Sequence, residues 1–339
     1  MDIVIGIDIG GSNVRVGAID KSGNLLAMKE TPIKASQGPQ AGLERIAKLI
    51  EQVLYDQRVT RVSDQIDLLG IGVGCTGPID RLHGSVNNPY TLPTWENVPL
   101  RDWLADRFNV LVTLENDADV AALGEYWMGA GKGVKRLYAI TVGTGIGTAM
   151  ILNGEIYRGL DGYHPEGGHQ VIDPNGPLCY CGSHGCWESL VSGPAIAQSA
   201  HQMMKRLLEE EEVLIEAERD AKSLHLKDSA LFDYKTDEIE ARIIAGLALQ
   251  GDPLALKIID QAAHYFSLGV VNIIMLFTPD MIVLSGGVME NAELFTPTLT
   301  KTLQGLEEIV PVKKVRVRQA QLGSYAGLFG AAYTILQRL

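Results

Sequence analysis

Short apolar runs separated by glycine-rich turns occur in the same order at two places along the chain. Residues 3–30 contain the apolar segments "IVIGID", "VRVGAID" and "LLAMKE", with the turns "GGSN" and "KSGN" between them. The order returns at residues 137–158, where "LYAITV", "TAMIL" and "EIYRG" are separated by "GTGIG" and by an Asn-Gly hairpin dipeptide. Each region predicts three strands, and the repetition predicts two related sheet domains that each offer one glycine loop.

The rest of the chain combines helical periodicity with single buried strands. The predicted helices lie near 40–56, 99–108 and 118–131, across 194–275, and at 323–339. Further buried strands are predicted at 68–75, 110–115 and 280–290. This alternation of strands and helices is typical of the α/β class.

The length of the chain, 339 residues, exceeds what a single hydrophobic core usually organises. We therefore expect two domains with a cleft between them. The first is a small N-terminal domain, residues 1–118, completed by the C-terminal helix at about 323–339. The second is a large domain, residues 119–322.

Composition and charge narrow the class of protein. A hydrophobic fraction of 46% is typical of a soluble globular chain, and a net charge of −12 argues against nucleic acid or an anionic membrane as partner. Residues 1–10 lack the basic region and apolar run of a signal peptide, and no apolar segment reaches the ~18 residues of a membrane span. We therefore expect a cytoplasmic protein, in which clustered cysteines more often hold metal than form disulfides.

Three glycine turns are candidate sites for a phosphorylated ligand. In "DIGGSNVR" (8–15), backbone N–H groups can hold phosphate oxygens, and Asp8 at the strand end can hold Mg²⁺ through water. "TVGTGIGT" (141–148) can hold phosphate similarly, with Thr144 as a hydroxyl donor, and "LSGGVME" (284–290) would let a flat base approach the backbone. Each is equally compatible with an ordinary tight turn. The occurrence of the first two at matching places in a repeated unit favours a polyphosphate held between them.

The segment "LENDADVAALGE" (114–125) carries the strongest candidate for acid–base chemistry. A strand ends at Glu115, and Asn116 and Asp117 lie just before a helix. Both residue types are common helix N-caps. The functional interpretation makes Asp117 a general base near a hydroxyl group, with Asn116 holding the neighbouring hydroxyl. The two interpretations are compatible, because sites of this kind lie where strands end at a cleft.

One histidine and three cysteines fall within the segment "GGHQVIDPNGPLCYCGSHGCWE" (167–188). His169, Cys179, Cys181 and Cys186 supply the four protein ligands of tetrahedral zinc, which is typical of a structural site rather than a catalytic one. A disulfide between Cys181 and Cys186 in an exported protein, and a single nucleophilic cysteine, are the alternatives. His184 competes with His169 as the fourth ligand.

Together these motifs resemble the ROK family of sugar kinases and sugar-responsive repressors. The matching segments, in the family's order, are "DIGGSN", "ENDADVAALGE", "VGTGIG", "EGGH", "CYCGSHGCWE" and "LSGG". The resemblance implies an α/β, actin-like (ribonuclease H-like) fold of two domains and a homodimer. It also implies ATP-dependent phosphorylation of a hexose, glucose in first place, at its 6-hydroxyl, with ATP, Mg²⁺ and structural Zn²⁺ as cofactors.

The resemblance further implies roles for individual residues at the sugar. Asp117 would be the base, Glu166 and Glu188 would hold sugar hydroxyls, and His169 would both bind zinc and reach the sugar. This double role ranks His169 above His184 as the fourth zinc ligand.

Two loops depart from the family's pattern. In "GCTGPID" (74–80) Cys75 and Thr76 stand where a proline–glycine pair is more usual, and "NNPYTLPTW" (87–95) is a few residues longer than the usual spacing. Asn88 is assigned to the sugar from the second of these loops. The residues assigned to ATP and Mg²⁺ are Asp8, Gly10, Gly11, Ser12, Asn13, Gly143, Thr144, Gly145, Gly286 and Gly287.

Other functions remain as alternatives. A repressor of the family carries a DNA-binding helix-turn-helix before the first glycine loop, whereas here Asp8 begins that loop almost at the chain start. A sugar sensor without catalysis would have no need of Asp8, both phosphate loops and Asp117 together. Among enzymes, an N-acetylmannosamine or N-acetylglucosamine kinase is the alternative, because Glu166 occurs in those kinases as well.

Overall fold

The computed structural model describes residues 1–56, 66–213, 226–306, 308 and 311–339. Part of the predicted helical region, residues 214–225, lies outside the described residues. By its contacts the chain divides into two units. The first comprises Met1–Ala139, Ala149–Pro165 and Ala320–Leu339, and the second comprises Ile140–Thr148 and Glu166–Gln319.

Strands in the described residues form two five-stranded sheets and one small hairpin. The strands of the first sheet and the hairpin are β1 (Asp2–Ile9), β2 (Asn13–Asp20), β3 (Leu25–Pro32), β4 (Asp67–Cys75), β5 (Ile79–Asp80), β6 (Ser85–Val86) and β7 (Leu111–Asn116). The first sheet has the order β3-β2-β1-β4-β7, and β5 pairs with β6. β1 runs antiparallel to β2 and parallel to β4, and β4 runs parallel to β7.

The second sheet has the order β10-β9-β8-β11-β12. Its strands are β8 (Arg136–Val142), β9 (Ile146–Leu152), β10 (Glu155–Ile156), β11 (Met281–Ser285) and β12 (Arg316–Gln319). β10 pairs antiparallel with β9, and β11 pairs parallel with β12.

The helices fall into the same two units. The helices of the first unit are α1 (Pro39–Leu54), α2 (Leu100–Phe108), α3 (Asp117–Trp127) and, at the C-terminus, α9 (Ala326–Leu336). The helices of the second unit are α4 (Trp187–Val191), α5 (Gly193–Val213), α6 (Ala241–Leu249), α7 (Pro253–Phe277) and α8 (Thr296–Gln304).

Alternation along β1 sends its side chains to two different layers of the first unit. Ile5 and Ile7 are fully buried in a cluster with Ile46 and Ile50 of α1, whereas Val4 is buried in a second cluster with α9. Period-two alternation with both faces apolar is what a sheet covered by helices on each side requires.

α3 lies in the first unit, beyond the limit of residue 118 expected from the sequence. The reason is its close packing on α9. A Cβ atom added to Gly124 would lie 2.1 Å from the carbonyl oxygen of Ala326, so only glycine lets the two helix backbones come this near.

The predicted α/β class is confirmed, and the predicted strands of 3–30 are present as β1, β2 and β3. Within the described residues, the predicted helical region 194–275 contains α5, α6 and α7. Of the strands and helices numbered above, β5, β6, α4, α8 and β12 were not predicted. β12 is short and mostly exposed, so its sequence "RVRQ" carries no apolar alternation.

α7 is long and apolar enough, by composition, to cross a membrane. In the structure 56% of its most apolar window is buried, and Phe266 stacks on Trp187 of α4 with ring centroids 5.8 Å apart. Burial of this extent is typical of a core helix.

The carboxylate of Glu125 ties the end of α3 to the segment that leads into α9. The side chain is buried, with 2% of the residue exposed, and accepts N–H donors from both segments. The Leu322 N–H donates to Oε1 at 2.7 Å, the Gln321 N–H to the same oxygen at 3.0 Å, and the Ala130 N–H to Oε2 at 2.8 Å.

Replacing Glu125 by alanine is expected to lower the free energy of unfolding by about 1.5–3 kcal/mol, because three backbone N–H groups lose the buried carboxylate that accepts from them. Urea unfolding followed by circular dichroism measures this. Glu44→Ala, at an exposed position of α1, is the matched control and should change stability by less than about 0.5 kcal/mol. A loss below about 1 kcal/mol for Glu125→Ala would show that water replaces the carboxylate.

Candidate functional site

Asp8 and Asp117 lie at the same edge of the first sheet. β1, β4 and β7 are parallel, and their register aligns Asp8 with Gly74 and Gly74 with Glu115. The carboxyl ends of the three strands therefore meet at one edge, where ligands of α/β sheets commonly bind. Asp117 follows directly at the first position of α3.

The Asp8 side chain is mostly buried, with 19% of it exposed. The Arg15 Nη1 atom lies 3.5 Å from its Oδ2, and the absence of a side chain at Gly327 leaves room for the carboxylate. Burial raises the pKa of Asp8 to about 6, and the positive charge of Arg15 opposes this rise. A divalent cation nearby would favour the charged form of such a carboxylate.

The turn between β1 and β2 places its tip in solvent. Gly11 and Ser12 are exposed, whereas the Gly10 N–H donates to the Asn13 carbonyl oxygen at 3.0 Å. Asn13 Nδ2 donates to Glu30 Oε1 at 2.8 Å. The tip therefore offers its amides to an outside ligand, and the assignment of Gly10 and Asn13 to ATP stays a prediction.

Asn116 and Asp117 both cap α3. The Ala118 N–H donates to Asn116 Oδ1 at 2.8 Å and to Asp117 Oδ1 at 2.9 Å. Burial raises the pKa of Asp117, while the Ala118 N–H and then the charge of His164 oppose the rise. Asp117 is thus a desolvated carboxylate held in place by the helix terminus.

A second polar cluster, which the sequence did not predict, lies beside Asp117. Arg158 donates to Glu115 Oε2 through Nη2 and to Asp119 Oδ2 through Nη1, the latter at 3.0 Å. His164 Nδ1 lies 4.0 Å from Asp119 Oδ1. Arg158 and His164 come from a loop without hydrophobic periodicity, so only the fold brings them to α3.

Asn88 is fully buried inside its own loop. Its Nδ2 donates to the Thr76 carbonyl oxygen at 3.2 Å and to Thr91 Oγ1 at 2.5 Å, and the Thr91 N–H donates to its Oδ1 at 3.1 Å. These bonds hold the loop that joins β4 to α2. Its assignment to the sugar stays a prediction.

In the second unit, Glu188 contacts the glycine loop between β8 and β9. The Ile146 N–H donates to Glu188 Oε2 at 2.7 Å. Within the loop the Gly143 N–H donates to the Gly145 carbonyl oxygen at 2.9 Å, and Thr144 is exposed. The carboxylate assigned to the sugar therefore also fixes the shape of the phosphate-loop candidate.

The third glycine turn follows β11 directly. Gly286 has a φ of 90°, and Gly287 opens a short 3-10 helix, Gly287–Leu294. Ser285 Oγ lies 2.7 Å from Thr141 Oγ1 of β8, which links this turn to the strand that leads into the glycine loop.

His169, Cys179, Cys181 and Cys186 come together in the structure, with all four ligand atoms within 4.8 Å of one another. The Sγ atoms of Cys181 and Cys186 are 3.5 Å apart, and His169 Nδ1 is 3.5 Å from Cys179 Sγ. Two sulfur ligands of tetrahedral zinc are separated by about 3.8 Å, so this set of donors fits the ion. The Ser183 N–H lowers the pKa of Cys181 to about 7, which favours the thiolate that a metal needs.

His184 lies outside this set. Its Nδ1 contacts the Gly176 carbonyl oxygen at 3.2 Å, and the side chain is exposed. The geometry therefore favours His169 over His184 as the fourth ligand.

Tyr180 contacts the opposite side of the His169 ring. Its hydroxyl lies 3.0 Å from His169 Nε2, and the two rings meet edge to face with centroids 5.1 Å apart. Burial raises the pKa of Tyr180 to about 12, and the charge of Glu188 adds to this. The sequence feature that could have identified Tyr180 is its position between Cys179 and Cys181.

Glu166 is exposed at the start of the short 3-10 helix Gly167–His169. Its carbonyl oxygen accepts the His169 N–H at 3.0 Å, and the next amide, that of Gly167, donates to Thr148 Oγ1 at 3.0 Å. Three of the side chains assigned to the sugar, those of Glu166, His169 and Glu188, thus lie in the second unit.

Comparisons with known proteins agree with the arrangement of these motifs. The model of the ROK family matches residues 4–338. The glucokinase of Thermotoga maritima is 34% identical over 99% of this chain and 98% of its own length.

Two solved structures cover the chain almost completely. The ROK hexokinase from Thermus thermophilus superposes with a TM-score of 0.78 at 29% identity, covering 99% of this chain and 100% of that one. A ROK family glucokinase from Streptomyces griseus, in complex with glucose and AMPPNP, gives a TM-score of 0.71 at 30% identity and covers 99% of each chain.

Proposed function

The chain belongs to the ROK family and has the actin-like two-domain sugar kinase fold of that family. On this basis we propose that it is an ATP-dependent glucose kinase, which transfers the γ-phosphoryl group of ATP to the 6-hydroxyl of glucose. The glucokinase relative at 34% identity and the relative that binds glucose and AMPPNP support this substrate pair. The observation that carries the proposal is the half-buried Asp117 carboxylate, fixed at the start of α3 on the edge where Asp8 also lies.

Asp117 is the general base of the proposed reaction. Its carboxylate accepts the proton of the 6-hydroxyl while the sugar oxygen forms a bond to the γ-phosphorus and the bond to the β-phosphate oxygen breaks, releasing ADP. Burial raises the pKa of Asp117, which makes the carboxylate a stronger base than an exposed aspartate. The Ala118 N–H keeps one oxygen in place, so the side chain needs no reorientation during the transfer.

The remaining polar side chains fix the sugar. In this proposal Asn116, Glu166, His169 and Glu188 hold sugar hydroxyls. Zinc bound by His169, Cys179, Cys181 and Cys186 would serve as a structural clamp with no open coordination position. His169 offers Nδ1 to this clamp, and its Nε2, on the other side of the ring, contacts the Tyr180 hydroxyl. A sugar hydroxyl would take the place of that of Tyr180, so a single ring would serve both the metal and the sugar.

Nucleotide binding is assigned to the glycine turns and to Asp8. Asp8, with its raised pKa and partial exposure, suits water-mediated binding of Mg²⁺, which would neutralise charge on the phosphates. The exposed tip formed by Gly11 and Ser12 and the exposed Thr144 offer donors to phosphate oxygens. Gly286 and Gly287 are assigned to the adenine side of the nucleotide.

The first test is ADP release from ATP and Mg²⁺ with a panel of sugars. The panel contains glucose, mannose, fructose, allose, N-acetylglucosamine and N-acetylmannosamine at equal concentration. A clear preference for glucose, judged by kcat/KM, is expected. Preference for an N-acetylhexosamine would replace the substrate assignment, and no turnover with any sugar, from protein that contains zinc and binds glucose, would favour a sensor.

A further inference from the structure

The cluster of Glu115, Asp119, Arg158 and His164 lies next to the proposed base without taking part in the reaction described above. Arg158 bridges the two carboxylates, and 17% of its side chain is exposed, against 11% for Glu115 and 1% for Asp119. The fourth member is His164, with its Nδ1 atom 4.0 Å from Asp119 Oδ1 and 19% of its side chain exposed.

In the part of the chain that the structure describes, the carboxylates of this cluster are bonded to a single cation. Glu115, Asp117 and Asp119 are three largely buried carboxylates within five residues of chain, and Arg158 is the cation bonded to two of them. Carboxylates removed from water need paired charges or hydrogen bonds. Arg81 also acts on Glu115 and Asp119 through its charge, and a positively charged imidazole at His164 adds a cation that acts on Asp119 and Asp117.

Only one of the two carboxylate oxygens of Asp119 has a hydrogen bond within the described residues. Its Oδ2 accepts from Arg158, whereas its Oδ1 is buried and has no hydrogen-bond partner within the described residues. His164 Nδ1 faces this oxygen. At this distance of 4.0 Å a protonated His164 ring can pair electrostatically with Asp119. Asp117 lies two residues earlier in the first turn of the same helix, so the same charge also acts on it.

We propose, on the basis of the glucose kinase function above, that His164 is a positioning residue whose protonated ring, paired with Asp119, keeps the Asp117 carboxylate charged and ready to accept a proton. His164 itself neither gains nor loses a proton during the transfer. The proton of the sugar hydroxyl goes to Asp117.

The direction of the effect follows from the charges around Asp117. Burial raises the pKa of Asp117 and the negative charge of Asp119 adds to this, while the charge of His164 lowers it. Asp8 on β1 and Cys75 on β4 also interact with Asp117, and Arg81 interacts with both Glu115 and Asp119. Arg338, in the segment after α9, interacts with Glu115. These groups stay in place when only His164 is changed, so a shift can be attributed to the imidazole.

The test is the dependence of kcat/KM on pH from about 5 to 9 for the wild-type protein and His164→Gln. Without the imidazolium, Asp117 becomes protonated at higher pH, so the acidic limb of the profile is expected to move up by about one pH unit. Activity on the acidic limb would then fall by up to about tenfold while activity at about pH 8.5 changes little. His164→Lys, which restores a positive charge, should return the limb toward the wild-type position.

His83→Gln is the matched control. His83 also pairs with an aspartate, Asp80, at 2.7 Å, but it is exposed, and its replacement should leave the profile unchanged. A loss of activity in His164→Gln that is the same at every pH would overturn the proposal and indicate a packing role only. Equal unfolding midpoints for both variants exclude misfolding as the cause.

A carboxylate titration by ¹³C NMR separates this proposal from the proposed function. The Asp117 signal, assigned by its disappearance in Asp117→Asn, is expected to titrate at higher pH in His164→Gln than in the wild type. If the wild-type protein phosphorylates no sugar, the proposed function fails, yet this titration still decides the role of His164. An Asp117 titration that is unchanged by His164→Gln would overturn the inference in either case.

Discussion

Replacing Asp117 by asparagine is expected to lower kcat by about 10²-fold or more, the usual contribution of a general base. Asparagine keeps the shape of the side chain and an oxygen that can accept the Ala118 N–H, so the cap of α3 survives. What is lost is the capacity to take the proton from the attacking hydroxyl. The measurement is the steady-state rate of ADP release with the sugar that the panel identifies.

Glucose binding supplies the internal control for this experiment. Asp117→Asn should bind the sugar with a Kd within a few-fold of the wild type, because only the protonatable oxygen is altered. Asp106→Asn, at an exposed position of α2, should retain full activity. Normal turnover in Asp117→Asn would remove Asp117 from the role of base and would leave the family assignment untouched.

Removing one of the four candidate zinc ligands is expected to have the second largest effect, on the zinc content and on the KM for glucose. In Cys186→Ser the zinc content should fall from one ion per chain to near zero, since one of four ligands is lost from a closed site. The KM for glucose should rise at least about tenfold, because His169 then loses the anchor that orients its ring. Metal analysis and steady-state kinetics on the same preparation measure both quantities.

Cys75→Ser provides the comparison for the zinc experiment. Cys75 is fully buried like Cys186, but its Sγ contacts the Thr76 carbonyl oxygen and lies outside the cluster. This variant should keep its zinc. A full complement of zinc in Cys186→Ser would contradict the ligand assignment, and thiol counting by mass spectrometry would then show whether Cys181 is oxidised instead.

The parts of the site that the sequence predicted are those whose residues lie close together along the chain. His169 and the three cysteines fall within eighteen residues, and their types alone indicate a metal. Asn116 and Asp117 follow a strand and start a helix, and this local pattern is sufficient to place them at a sheet edge. In both cases local spacing contains the geometric information.

The parts that the sequence did not predict depend on contacts between distant segments. Arg158 reaches Glu115 across 43 residues, and Ile146 donates to Glu188 across 42. Neither pair has a signature in composition or period, because the contacts arise only when loops pack against helix termini. Asn88 is a different case, since its loop departs in length from the family's pattern and its amide is used to hold that loop.

The division of the fold between the two ends of the chain has a consequence for its synthesis. The first unit includes Ala320–Leu339, and α9 packs on the sheet that residues 2–32 begin. The ribosome synthesises this segment after every residue of the second unit, so the first unit is still incomplete when the second unit already has all its residues. We expect the usual order of cotranslational folding, amino-terminal part first, to be reversed in this protein. The apolar face that β1 and β2 present to α9 therefore stays uncovered while the whole second unit is synthesised.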